Sequence, residues 1–385
     1  MGATSPDLQK CHLAWLIETL SLPRLSLQGA LAAAGQKRRQ ERAVVSPSVD
    51  REAFCRQSKV VVVAGKGGVG KTTVTAALAR MAADVGLEVL VVELDDAGGL
   101  HNLFGRETAF EYEEAVLYEP PGAGRVRGRV ITPDDALVEY LMDHGLRRVA
   151  KRLVAAGVLE VVATAIPGIR EVLVLGKVKQ LERSGASDLI VLDAPAAGHA
   201  VTFLTSALGL MDAARGGPLR SQAQDVVEML RDPARCQVML VSLAEETPVN
   251  ELIETAYRFE DLVGVALAPV VVNACYPVLT HLSADPVAAA AAAGAELPGP
   301  QEAAQLAAAA AFRSSRQDLQ ATQMERLAGG LPLPQLALPY QFTADLGPEQ
   351  LGVLSQALGA DIDALVVDEA RVEVEVEELG VDDDD

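Results

Sequence analysis

The chain has 385 residues, half of them hydrophobic and only 4% aromatic, which is enough apolar material for one large α/β domain or two smaller ones. A formal net charge of −20 opposes non-specific adhesion to nucleic acid or to an anionic bilayer, because both repel it. The four cysteines, Cys11, Cys55, Cys236 and Cys275, show no C-x-x-C spacing, which argues against a zinc or iron–sulfur ligand set and against a disulfide framework, and fits a reducing cytoplasm.

Residues 1–57 read as an N-terminal extension, in part disordered. The apolar stretch A-W-L-I-E-T-L-S-L-P-R is broken by Glu18, Pro23 and Arg24, well short of the roughly 20 residues that a spanning helix needs. No signal peptide or membrane span is expected. From Lys59 onward, short β-rich apolar runs alternate with helical patterns. They begin at Lys59, Glu88, Asp188, Gln237, Pro269 and Gln335. Runs that are apolar on both faces and separated by helices predict a doubly wound, mainly parallel sheet over residues 58–360.

Thr132 before Pro133 and Thr247 before Pro248 each read as a hydroxyl cap followed by a proline in the first helical turn. Residues 106–180, with a breaker-rich loop at Glu119, and residues 205–235 read as mainly helical insertions. The Ala-rich stretch 287–311 predicts helix interrupted by a loop at 294–300. Leu208, Leu210 and Met211 read as core. The end of the chain, 361–385, is an acidic tail expected to stay solvated.

Gly65, Gly70, Lys71 and Thr72 fit G-x-x-x-x-G-K-[ST], placed between an apolar strand and a helix. In that setting the glycines let backbone N–H groups face phosphates, the helix start adds positive potential, and Lys71 meets the outer phosphates. Thr72 offers a hydroxyl to Mg2+. A second carboxylate is expected at the end of another strand, and Asp193 closes D-L-I-V-L-D in that position, with A-P-A-A-G-H after it as a γ-phosphate-sensing turn. Asp95 and Asp96 end the second strand, and one of them is a candidate to orient or deprotonate the attacking water.

The stretch Gly65-Lys66-Gly67-Gly68-Val69-Gly70-Lys71-Thr72-Thr73 resembles the deviant Walker A motif of the MinD, ParA, nitrogenase iron protein and ArsA group of P-loop ATPases. Within that group, Asp95 to Gly105 and Asp193 to Leu204 are similar to the switch I and switch II stretches of the ArsA arsenite-pump and tail-anchored-protein-targeting branch. Pro167-Gly168-Ile169 with Glu171 and the strand ending at Asn273 match that branch too. The resemblance implies a cytoplasmic, Mg2+-dependent ATPase whose homodimer, or dimer with a paralogue, opens and closes with the nucleotide. It implies that Lys66 reaches across to the partner's nucleotide, that Asp95 is catalytic, and that Asp193 serves the magnesium. Gly198 is placed near the γ-phosphate, and Asn273 reads adenine. His199 is assigned a structural or relay role.

Departures follow the same residues. Asp96 stands where the family has proline, so Asp95 and Asp96 both stay open for positioning water. Only Cys275 falls near a nucleotide or switch motif, so a metalloid cargo is not expected. The expected partner is an unidentified protein or hydrophobic cargo, including one presented at a membrane, with no direct contact to nucleic acid. Two other readings compete: a MinD/ParA-type positioning switch, which the acidic tail and net charge oppose, and a non-hydrolysing scaffold, which the joint presence of Lys71, Thr72, Asp95 and Asp193 opposes.

Overall fold

A computed structural model describes residues 50–94, 99–156, 168–213, 216–295 and 299–365. The extension up to residue 49, the tail from 366, and Asp95, Asp96 and Pro167 lie outside the described residues.

The sheet is built from valine-rich runs that are buried on both faces, such as β1 (Val60–Gly65) and β5 (Leu189–Ala196). The other strands are β2 (Glu88–Glu93), β3 (Ala115–Tyr118), β4 (Arg125–Val130), β6 (Cys236–Leu243), β7 (Ala266–Leu267), β8 (Val270–Cys275) and β9 (Gln335–Pro339). Their order is β3-β4-β2-β5-β1-β6-β8-β9, with the short β7 paired to β6. All pairings are parallel except β3 with β4. Parallel strands need crossover helices, and helices on both faces require apolar residues on both faces of each strand, which is what the unbroken valine runs supply.

Alternation along β1 divides the interior in two. Val60, Val62 and Ala64 face one core, and Val61 and Val63 face the other. The second core is covered by α1 (Arg51–Arg56), α2 (Lys71–Asp84) and α12 (Pro348–Asp363). Small side chains at Ala76, Ala79 and Ala83 let α2 lie close against the sheet and α12. The first core is covered by α6 (Ile169–Ser184), α7 (Ala197–Ala213), α8 (Pro218–Arg231) and α9 (Glu246–Leu262). Leu210 is buried there with Leu208 and Met211 packed beside it, as the sequence suggests.

Two expectations need correction. The stretch 106–180 is not helical throughout: β3 and β4 form an antiparallel pair that extends the sheet, and the breaker-rich loop at Glu119 is their connection. The strand R-V-R-G-R-V was hidden by its arginines. Arg125, Arg127 and Arg129 carry the sheet hydrogen bonds with their backbone while their side chains reach Glu88 and Glu114. Helices then follow as α4 (Pro133–Asp143) and α5 (Arg147–Ala156). Thr132 does cap α4, accepting from the Asp135 N–H at 3.1 Å, but Thr247 caps nothing, because α9 already starts at Glu246. Beyond β8, the Ala-rich region forms α10 (Pro286–Ala292) and the long α11 (Pro300–Gly330). The short α3 (Leu100–Leu103) follows β2.

Candidate nucleotide site

Strand β1 sits where the chain reverses its direction of travel through the sheet: β2 lies to one side beyond β5, and β6 lies on the other. Ligands of open parallel sheets gather at the carboxyl ends of the strands at such a point. Residues 66–70 make the loop there. Gly65 must be glycine, because a Cβ would overlap the Val241 carbonyl of β6. Gly70 must be glycine for two reasons: its φ is +89°, and a Cβ would overlap the side-chain amide of Asn273. Gly70 leaves the start of α2 without a side-chain cap and the first turn has no acid, so its N–H groups are available to an anion.

Lys71 curls back over the loop and donates to the Lys66 carbonyl at 3.3 Å. Burial lowers its pKa, and the nearby Asp193 carboxylate opposes that shift. One residue on, the Thr72 hydroxyl donates to Asp193 Oδ2 at 2.6 Å. Asp193 is 8% exposed, and its second oxygen, Oδ1, is buried with no partner among the described residues. Burial raises the Asp193 carboxyl above the usual carboxylate range; the Thr72 hydrogen bond, the Lys71 charge and the nearby Thr75 hydroxyl, which makes no hydrogen bond of standard geometry, pull the other way. A hydroxyl and a carboxylate side by side, with one carboxylate oxygen left over, form a hard-oxygen pair of the kind that suits magnesium. The residues present therefore fit that ion.

Two further contacts tie the loop to its surroundings. Asn273, two residues before the end of β8, donates its amide to the Val69 carbonyl at 2.9 Å. The next residue, Ala274, has a left-handed backbone with φ of 57°, a strained conformation for a side chain with a Cβ. The buried Gln320 of α11 clamps that turn, donating to the Ala274 carbonyl at 3.1 Å and accepting from the Tyr276 N–H at 2.8 Å. On the other side, Lys66 pairs with Glu251 of α9 at 2.6 Å.

Of the residues expected from sequence, 65–73, Asp193 and Asn273 converge on one end of the sheet. Ala196 pairs with Gly65 in the β1–β5 ladder, which sets the stretch after Asp193, including the exposed Gly198, next to the loop. His199 is exposed and lines a cavity of about 300 Å³ with Arg170, Glu171 and Phe203. Asp95 and Asp96 are outside the described residues; just before them, buried Glu93 accepts from the Leu100 N–H at 3.4 Å. Sequence reading missed Glu251 and Gln320, because nothing in either local pattern marks contact with Lys66, 185 positions from Glu251, or with the turn at Ala274, 46 positions from Gln320. It also missed a ring cluster beyond Asn273, where Tyr276, Tyr340 and Phe342 stack with centroids 4.8–6.0 Å apart and Arg313 lies 4.3 Å over Tyr276. Burial pushes Cys55 and Cys236 up to about 12 and Cys275 up to about 11, so these thiols stay protonated.

Sheet order, loop and carboxylate together define a nucleotide-binding P-loop protein of the doubly wound α/β class. Residues 58–212 match the model of the anion-transporting ATPases, the ArsA type. Mycobacterium tuberculosis ATPase BagA is 33% identical over 237 residues, which span 60% of this chain and 68% of that protein. A putative arsenical pump-driving ATPase of Halobacterium salinarum is 28% identical over 246 residues, 57% of this chain and 36% of that protein. The ATPase get3 of Schizosaccharomyces japonicus is 32% identical over 146 residues, 38% and 43% respectively. The chain belongs to the ArsA family of ATPases. Among the described residues, no helix is long and apolar enough to cross a membrane.

Proposed function

We propose that this protein hydrolyses ATP with magnesium as a nucleotide-switched dimer, and that closure of the dimer changes its affinity for a protein or hydrophobic cargo. The observation that carries the reading is the Thr72–Asp193 pair beside Lys71, with Asp193 Oδ1 buried and unpartnered among the described residues. Thr72 and Asp193 would hold the ion, which offsets charge on the phosphates. Lys71 and the N–H groups of 67–72 bind the phosphates and hold them in line. Asp95 orients the attacking water, with Asp96 next in line for that role, and Gly198 leaves its N–H near the γ-phosphate.

Lys66 acts across the dimer. Within one chain its ammonium is held by Glu251 of α9, whereas Lys71 is the loop cation beside Asp193. Both partners are more than a third exposed, so the pair is worth only about 0–1 kcal/mol and yields readily to a phosphate. Asn273 takes part by steadying the loop at Val69 as well as by facing the base, with the Tyr276 and Tyr340 rings beyond it.

The reading is tested by Lys66→Ala. The variant is expected to keep ATP affinity within a few-fold and to lose turnover by about 10²–10³, because a charge delivered to the transferring phosphoryl group acts in the transition state. Undiminished turnover would sink the role across the dimer. Asp95→Asn is expected to retain ATP without turnover; if Asp96→Asn does so instead, the positioning role moves by one residue.

A further inference from the structure

Helix α5 carries four cations, Arg147, Arg148, Lys151 and Arg152, and no acid. Among the described residues, none of the four lies within ion-pair distance of a carboxylate, in a chain where acids outnumber bases by 53 to 33. Unpaired cations side by side repel one another, whereas eight arginines elsewhere among the described residues pair with carboxylates.

The same helix is poorly covered. Ala150 is its one buried residue, while Val149 and Val154 are exposed, as are the neighbouring Leu146 and, on α4, Met142. Between α4 and α5 lies a cavity of about 440 Å³ lined by Val138, Met142 and Val154 together with Arg147, Arg148 and Lys151. An apolar hollow bordered by unpaired cations selects an occupant with aliphatic side chains interleaved with acids. An anionic bilayer offers both charge and apolar depth, but it must accept a protein of net charge −20, which it repels. An acidic, valine-bearing segment of the chain itself is already tethered to the protein, and its charge is included in that −20.

The chain carries one. Residues 366–385 contain ten acids and one arginine, and within them Val372, Val374, Val376 and Leu379 are interleaved with Glu373, Glu375, Glu377 and Glu378. We propose that this C-terminal segment docks on the face formed by α5 and the adjoining end of α4, its carboxylates pairing with the four cations and its valines entering the hollow. Docking neutralises the one unpaired cationic helix described above and withdraws its apolar face from solvent. A partner that uses this face must first displace the tail.

The experiment is zero-length cross-linking of the full-length protein with a water-soluble carbodiimide, which joins a lysine amine to a carboxylate with loss of water. Lys151 is the reporter, and Lys59, exposed at the start of β1, is the comparator. Products joining Lys151 to Glu373, Glu375, Glu377 or Glu378 are expected well above products joining Lys59 to the same residues. They are expected to fall to the Lys59 level in about 1 M salt, where the Debye length is about 3 Å. The same fall is expected in Arg147→Gln/Arg148→Gln/Arg152→Gln, which leaves Lys151 in place. Equal Lys151 and Lys59 yields, or yields indifferent to the three arginines, overturn the proposal. So does flotation of the full-length protein with phosphatidylserine vesicles to an extent that Glu373→Gln/Glu375→Gln/Glu377→Gln/Glu378→Gln does not change, which would assign the face to a bilayer.

Discussion

At the carboxyl end of β1 the backbone is fixed from several sides at once: the Val241 carbonyl stands against Gly65, Asn273 holds the Val69 carbonyl, and Thr72 is bound to Asp193. On α5, a single buried alanine seats ten residues whose cations find no described partner. Both regions present positive charge to an anion, and both lie just outside the packed sheet. The difference is preorganisation. The loop spends packing and strain to hold its donors in place before any ligand arrives, so an anion bound there gains full electrostatic benefit with little reorganisation. The helix offers charge on long, free side chains, which must be ordered on binding and are screened by salt.

Breaking the rigid region should therefore cost far more than altering the loose one. Gly70→Ala must adopt a left-handed backbone, at roughly 1–2 kcal/mol, and must also push aside the Asn273 amide. It is expected to abolish the rise in melting temperature given by ATP, measured by thermal melts with and without nucleotide. Val154→Ala on α5, by contrast, should move the melting temperature by less than the equivalent of about 0.5 kcal/mol. A large loss in the second variant would show that α5 is held as firmly as the loop.

A subtler test sets binding against stability inside the loop region itself. Because burial raises the Asp193 carboxyl, the folded protein keeps that proton to higher pH than the unfolded chain, where it titrates near about 3.9. Between those two values folding takes up a proton, so its contribution to stability is present at low pH and is lost as pH rises. Asp193→Asn removes the titration. In nucleotide-free protein, the melting temperature of the variant relative to the parent should climb between about pH 4 and pH 7, while turnover is lost. A constant difference across that range would show that burial does not raise the carboxyl in the folded protein.

The smallest expected effects separate local chemistry from tertiary placement. Thr132→Ala should cost about 1 kcal/mol in denaturant unfolding, since the hydroxyl accepts the Asp135 N–H at the start of α4. Thr247→Ala, one position inside α9 and exposed, should cost less than about 0.5 kcal/mol although its Thr-Pro dipeptide is the same. The two sites differ in that Thr132 stands at the N-cap position, bonded to Asp135, whereas at α9 Glu245 takes that position.

Those two threonines illustrate what a sequence can carry. Six strands were legible because a strand covered on both faces carries a continuous apolar run, as β1, β2, β5, β6 and β8 do, and because β9 buries Leu336 and Leu338. β4 was not, because its arginines reach carboxylates that lie elsewhere in the chain, Glu88 and Glu114, and a local pattern cannot register that compensation. The loop at 65–73 was legible because phosphate-sized cradles need glycine and lysine at fixed spacing, and Asp193 because a strand end is visible as the last residue of an apolar run. The role of Asn273 was only half visible: the match to a strand end marked it for the base, whereas its amide is bound to the loop itself.

By itself, then, the sequence determined the fold class, the nucleotide loop and the place of Asp193 on its strand, because each rests on residues adjacent in the chain whose spacing is set by backbone geometry. Only the tertiary structure decided which way the two lysines of the loop face, Lys71 toward Asp193 and Lys66 toward Glu251. It also decided that Gln320 clamps the strained turn after Asn273 and that the cations of α5 are left without described partners. These are contacts between segments tens to hundreds of residues apart, fixed by how helices cross the sheet, and no local spacing encodes them.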